Sequence, residues 1–296
     1  MPRPDLQALG VQYRRIPVMA AGKDIYCDTR LILQKLEELF PEGRLGAEDP
    51  DGRTLERLLE NWTVDGGVFF RAVQLIPVDS IIKAHPKFIK DREEASSMSF
   101  RKEDILNNRP DGMAHIKQAF EFLETTLLAD GRDWVRKTDK PTLADIHAIW
   151  PIDWVNELEG ALDRDIFTEA RFPKVFAWMA RFRKALSEAK SVSPMPESLL
   201  GNQVLERVVS ADFVEPEGVV DKADVLKLEK DQDVVVWPTD SGFNYKDTGR
   251  LVALTTHEVV VQRPTMDNRT DIRIHFPRTN FKIVPGGNGD VSMARI

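Results

Sequence analysis

The sequence has a single cysteine, Cys27. One thiol excludes an intrachain disulfide and any cysteine-rich metal site, and it suits a reducing, cytoplasmic setting. Long apolar runs are also missing. None approaches the roughly 20 residues that cross a bilayer. The opening residues, MPRPDLQALG, lack the apolar core of a secretory signal. Basic charge is not in surplus: 41 lysines and arginines face 48 aspartates and glutamates. The net of −7 argues against nucleic acid or an anionic membrane as the main partner. The usual catalytic spellings do not occur: no nucleophile elbow, no phosphate-cradling glycine loop, no paired-histidine zinc helix and no Cys-x-x-Cys. The histidines, His85, His115, His147, His257 and His275, are scattered without a partner at ligand spacing. Each reads as a surface or core residue, and no metal is expected.

What remains is ordinary globular material, 42% hydrophobic and 30% charged, which over 296 residues makes two domains or three small ones. The chain changes character three times. Arg14 to Phe40 reads as strand, turn, strand, helix. Arg15–Ala20 is a short apolar run broken by Pro17, Ala21–Lys23 form a turn, and Ile25 and Tyr26 belong to a second strand. Asp28 and Thr29 stand where a helix is capped, and Ile32, Leu36, Leu39 and Phe40 recur on one helical face. A proline inside a strand marks an edge, a bulge or a cis bond.

From Thr54 the period is helical for most of the next stretch. Leu55, Leu58, Leu59 and Trp62 form one apolar stripe. Val68–Ile76 continues it, Ile81, Ile82, Phe88 and Ile89 follow, and Asp91–Pro110 is polar. Ile116 to Leu127 and Phe172 to Leu186 mark two further helices. Thr142-x-x-Asp145 is a capping-box start, so both residues read as structural. Residues 190–202, rich in proline and serine, read as a linker. After it come short β-type runs, Val225–Leu228, Val234–Trp237, Leu251–Leu254, Glu258–Gln262, Ile272–Phe276 and Phe281–Val284, spaced as in a small barrel or sandwich. The expected fold is therefore α+β and multidomain: a β-β-α unit over 1–48, an all-helical domain over 52–192 and a β-rich domain over 203–296.

The order of Ile16–Pro17, turn, strand, Asp28–Thr29 and helix, followed by a helical half with Pro141-Thr142-Leu143-Ala144-Asp145, resembles the cytosolic glutathione transferases. With its β-rich tail the chain looks most like a fungal subgroup of that superfamily. The resemblance covers about residues 1–195 and implies a thioredoxin-like unit in which Pro17 is cis. Ile16 would pair its main chain with the cysteinyl part of glutathione. Thr29 would hold the γ-glutamyl carboxylate through its N–H and hydroxyl, and Asp28 the ammonium. Asp28 is one methylene shorter than the glutamate usual there. On the residues alone, Asp28 reads equally well as an N-cap and Thr29 as a first-turn residue. Trp62, Asp65, Phe69, Trp150 and Trp154 would wall a pocket for a small hydrophobic electrophile, against the plain alternative of aromatic core packing. Cys27, at a strand end, reads as a buried small hydrophobe, with a reactive thiol as the alternative.

The family's first strand, first helix and second strand, with the residue that activates the thiol, should come before this stretch. Residues 1–13 read only as the end of that connection, so the unit is expected to be truncated and no catalytic residue is assigned. Tyr13 is not given that role, because it lies just before the cis-proline strand. A lone hairpin and helix would be unstable, with an unpaired edge. The reading leans to a glutathione-dependent transferase, homodimeric as is usual in the family, with glutathione as co-substrate. The alternative is a non-catalytic scaffold for protein association.

Overall fold

The computed structural model describes residues 3–79, 85–96 and 98–287. They form two compact units. One comprises Met1–Leu39, Lys90–Met98 and Glu197–Ile296, and the other Phe40–Ile89 and Ser99–Pro196.

The first unit is built on one seven-stranded sheet. Its strands are β1 (Val18–Ala21), β2 (Asp24–Cys27), β3 (Asp233–Pro238), β4 (Asp247–Leu254), β5 (Glu258–Pro264), β6 (Asp271–Pro277) and β7 (Phe281–Pro285), in the order β1-β2-β6-β5-β4-β3-β7. Gly22, at φ +58, takes the first central place of the β1–β2 turn, where primed hairpin turns need a positive φ. The two-residue side-chain period then sends Ile25 and Cys27 to one face and Tyr26 to the other. On the first face lie Leu9, Val11 and Tyr13 of the N-terminal segment, Val208, and the strand residues Val236, Leu251, Val261, Ile274 and Phe276. On the second, Tyr26 packs with Leu31 and Ile32 of α2 (Thr29–Leu39).

This arrangement changes the domain boundaries expected from sequence. Residues 1–48 and 203–296 do not stand as separate domains. Strand β2 pairs in parallel with β6, Asp24 opposite Arg273, Ile25 opposite Ile274 and Tyr26 opposite His275. The tail strands, expected as a small barrel or sandwich of their own, make up most of a sheet that the N-terminal hairpin completes. One edge of that hairpin is therefore paired, and β1 ends the strand order.

The second unit is helical: α3 (Pro50–Val64), α4 (Val68–Val73), α6 (Lys102–Phe122), α7 (Leu143–Glu157) and α8 (Pro173–Val192). Helix α1 (Pro4–Ala8), like α2, lies in the sheet unit, and α5 (Pro86–Ser96) spans both ranges. The helical core gathers Leu59, Ala72, Leu75, Phe120, Ile152, Phe172 and Trp178.

Four local readings differ from the expectation. The N-terminal segment, read only as the end of a connection, holds a helix at residues 4–8, and the polar stretch 91–110, which has no apolar stripe, lies largely in α5 and α6. There Pro110 sits inside a helix, an unfavourable place for a residue without an N–H. Gly201–Ser210 forms α9, set in the sheet unit by Val208. Val225–Leu228 is a turn, because Asp224 Oδ1 accepts from Leu226 N and Lys227 takes a positive φ. The apolar pair Ile81–Ile82 lies outside the described residues.

Candidate functional site

The Ile16–Pro17 bond is cis, as the resemblance implies, and leads straight into β1. Ile16 is 68% exposed and Pro17 is exposed. Asp28 follows β2 at φ +75, a left-handed conformation that aspartate tolerates better than most residues. Its Oδ1 accepts from Arg30 N at 3.0 Å and its carbonyl from Ile32 N at 3.0 Å, so it caps α2. Thr29 is the first residue of that helix and is exposed.

The other oxygen of Asp28 belongs to a cluster that sequence spacing did not reveal. Arg15 Nη2 donates to Asp28 Oδ2 at 2.8 Å, its Nε to the Tyr13 hydroxyl at 2.9 Å, and its Nη1 to Asp240 Oδ1 and Oδ2 at 2.9 and 2.7 Å. Its guanidinium lies over the rings of Tyr13 and Phe281. Tyr13 is buried against Phe276 and Phe281. Burial first, and then the Asp28 charge, push its phenol well above the usual tyrosine range. Tyr13 therefore stays protonated and enclosed. Cys27 is fully buried, and burial, Asp247 and Asp28 raise its thiol well above the usual range. A thiol so placed is not a nucleophile, because the thiolate is the reactive form.

A second polar cluster also went unread in the sequence. His275 of β6 is buried between two carboxylates, with Nε2 3.0 Å from Asp24 Oδ1 and Nδ1 2.7 Å from Glu258 Oε1. Its ring lies 4.5 Å from that of Tyr26, whose hydroxyl donates to Glu215 Oε1 at 2.7 Å. The Lys35 ammonium lies 2.9 Å from Glu215, 3.3 Å from Glu38 and 3.6 Å from Glu258. Burial acts to lower the His275 pKa, but the hydrogen bonds to Asp24 and Glu258 outweigh it and the net shift is upward. Asp24 moves down: burial opposes its ionisation, but His275 and the N–H groups of Glu215 and Val214 prevail. Donor atoms of Glu215, Glu258 and His275 lie within 4.8 Å of one another, a set that metals use. The lysine ammonium already supplies positive charge to both glutamates there. In sequence the only trace of this cluster is Asp24 at the head of a short apolar strand and His275 between Ile274 and Phe276.

In the helical unit, Phe69 brings together two of the expected aromatics. Its ring lies 5.0 Å from Trp150 and 5.9 Å from Trp154, and 5.5 Å from Phe70. All four side chains are partly exposed. Trp62 pairs instead with Phe122 at 5.1 Å, and Asp65 is an exposed residue at the end of α3. Asp145 does more than cap α7. Its Oδ2 accepts from Thr142 N and the Thr142 hydroxyl at 2.9 and 3.1 Å. Its Oδ1 accepts from Val135 N at 2.9 Å and the Trp178 indole at 3.0 Å.

Residues 71–191 match a family model described only as a domain of unknown function, DUF7962. No curated protein matches the chain. Among solved structures, a glutathione S-transferase-like protein from Pseudomonas syringae superposes with a TM-score of 0.65 at 20% identity, over 97% of this chain and 86% of that one. The chain is also similar to the glutathione S-transferase Blo t 8, at TM-score 0.45 and 18% identity over 72% of this chain and 78% of that one. A glutathione S-transferase from Methylobacterium radiotolerans, in complex with glutathione sulfonate, gives 0.39 and 23% over 63% and 77%. The fold is therefore mixed α+β and glutathione S-transferase-like. No helix among the described residues is long and apolar enough to cross a membrane.

Proposed function

We propose that this chain is a glutathione-binding protein of the transferase type. The observation that carries the reading is the hairpin at the end of the sheet with Asp28 and Thr29 opening the next helix, on a glutathione S-transferase-like fold. In it, Ile16 pairs its main chain with the cysteinyl part of the peptide. Thr29 takes the γ-glutamyl carboxylate at the α2 N-terminus, where N–H groups and the helix dipole favour an anion. Asp28 caps the helix and keeps its second oxygen within an ionic cluster that a ligand ammonium joins.

The co-substrate is a small hydrophobic electrophile, and Phe69, Trp150 and Trp154 are its candidate contacts. Trp62 and Asp65 have weaker support, since neither belongs to that aromatic group. The wider reading is a cytoplasmic, homodimeric protein of fungal type. Calorimetric titration with glutathione tests the core of the proposal: binding at millimolar ligand or below is expected, and absence of heat rejects it.

The buried states of Tyr13 and Cys27 favour a second reading. Neither lends a hydroxyl or thiol to activate the glutathione sulfur, so a scaffold that binds the peptide without turning it over fits equally. The ultraviolet signal of bound thiolate separates the two. A titration at the pKa of free glutathione marks a binder, and a lowered one marks an enzyme.

A further inference from the structure

Beside the Phe281 ring, the tail brings a carboxylate to the Arg15 cluster. Asp240, on the loop between β3 and β4, is 225 positions from Arg15, yet both its oxygens accept from Arg15 Nη1. The remaining donors described for that guanidinium go to Tyr13 and Asp28. One cation is thus shared by two carboxylates, and the group of Arg15, Asp28 and Asp240 carries one negative charge more than positive. A guanidinium relieved of Asp240 is free to turn its planar fork onto Asp28, where a two-bond pairing would neutralise it.

We infer that Asp240 is a positioning residue for the candidate site: by holding Arg15 to one side, it keeps negative charge on Asp28 for the ammonium of a bound peptide. The inference rests on the glutathione-binding reading above and adds a residue from the β-rich tail to it. The three side chains are partly exposed, at 17–22%, so charge on Asp28 is felt by a ligand at the surface of the cluster and is not lost to burial.

The test is calorimetry on the full chain with glutathione and with N-acetylglutathione, whose amine is capped. Asp240→Asn is expected to weaken glutathione roughly tenfold, the scale of one hydrogen bond to a charged group. It should lower the preference for glutathione over the capped peptide by a similar factor. Asp240→Glu, which keeps the carboxylate, should restore most of both. In an Arg15→Met background the Asp240→Asn change should have little effect, because Asp240 acts through Arg15. A preference unchanged in Asp240→Asn overturns the inference, as does equal weakening of both ligands, the mark of a merely structural role. Failure of the unaltered protein to bind glutathione rejects the site itself, and the two failures are told apart by that first titration.

Discussion

Asp247 gives the sharpest quantitative prediction. It opens β4, is 1% exposed, and accepts a hydrogen bond from Gln12 N at 2.7 Å, tying the N-terminal segment to the sheet beside Tyr13. Burial drives its pKa up to about 7, and the N–H groups of Gln12 and Tyr13 and the charge of Arg263 only partly oppose this. An unfolded aspartate titrates near 3.9. The folded protein therefore binds a proton more readily than the unfolded chain between about pH 4 and pH 7. Stability from this residue is full at the acid end of that window and falls as pH rises through it. Three units correspond to about 4 kcal/mol, a ceiling, since water entering around the ionised carboxylate lowers the cost. Asp247→Asn keeps an acceptor for Gln12 and removes the titration. Hydrogen exchange read by mass spectrometry on peptides of β4 and the N-terminal segment is the suitable assay. Tryptophan fluorescence is not, because Trp237 is the lone tryptophan of the sheet unit. The variant should match the parent at about pH 4 and increasingly exceed its protection as pH rises through 7. Parallel pH profiles for the two proteins would show that Asp247 does not titrate in this range.

Asp145→Ala should cost about 2–6 kcal/mol, more than the 0.5–2 kcal/mol of a lost cap, because the Trp178 indole and Val135 N–H are left buried without an acceptor, at about 1–3 kcal/mol each. A thermal melt followed by tryptophan fluorescence, which samples the helical unit, measures it, and a loss within the cap range would return Asp145 to capping alone. For His275, the raised folded pKa means that its contribution is whole below about pH 6.5, the unfolded value. That contribution is lost as pH rises through the folded value. His275→Gln should abolish this alkaline decline in β2 and β6 protection, and a decline that persists unchanged assigns it elsewhere.

Local spacing carried what local physics determines. Ile32 on one helical face, the five strand runs from Val234 to Val284 and the Thr142-x-x-Asp145 pair all formed the elements that their periods imply. Cys27, at the end of its strand, is buried as a small hydrophobe. What could not be read are pairings between distant residues. Nothing in the spacing of Asp24 and His275, or of Arg15 and Asp240, links members of either pair, and a buried polar residue in an apolar strand names no partner. The Val225–Leu228 run has a strand's composition, but Asp224 turns its backbone first. In the first half of α6 the reverse occurs, with mixed charges and Pro110 hiding a helix that its apolar spacing reveals only from Ile116 onward.

The sheet also recasts the problem posed by a short N-terminal hairpin. Two four-residue strands do not hold together unaided in water, yet the candidate glutathione-binding residues all sit on this hairpin or at its ends. The tail supplies what the hairpin lacks at three places. Strand β6 pairs with β2, Asp24 accepts from Val214 and Glu215 N–H groups, and Asp240 fixes Arg15. A β-rich appendage that only covered a surface would not need buried carboxylates and a shared guanidinium at the seam. Its contacts instead fall where the hairpin needs order and where the site needs charge. The tail is thus better described as part of the scaffold of the candidate site than as a separate module.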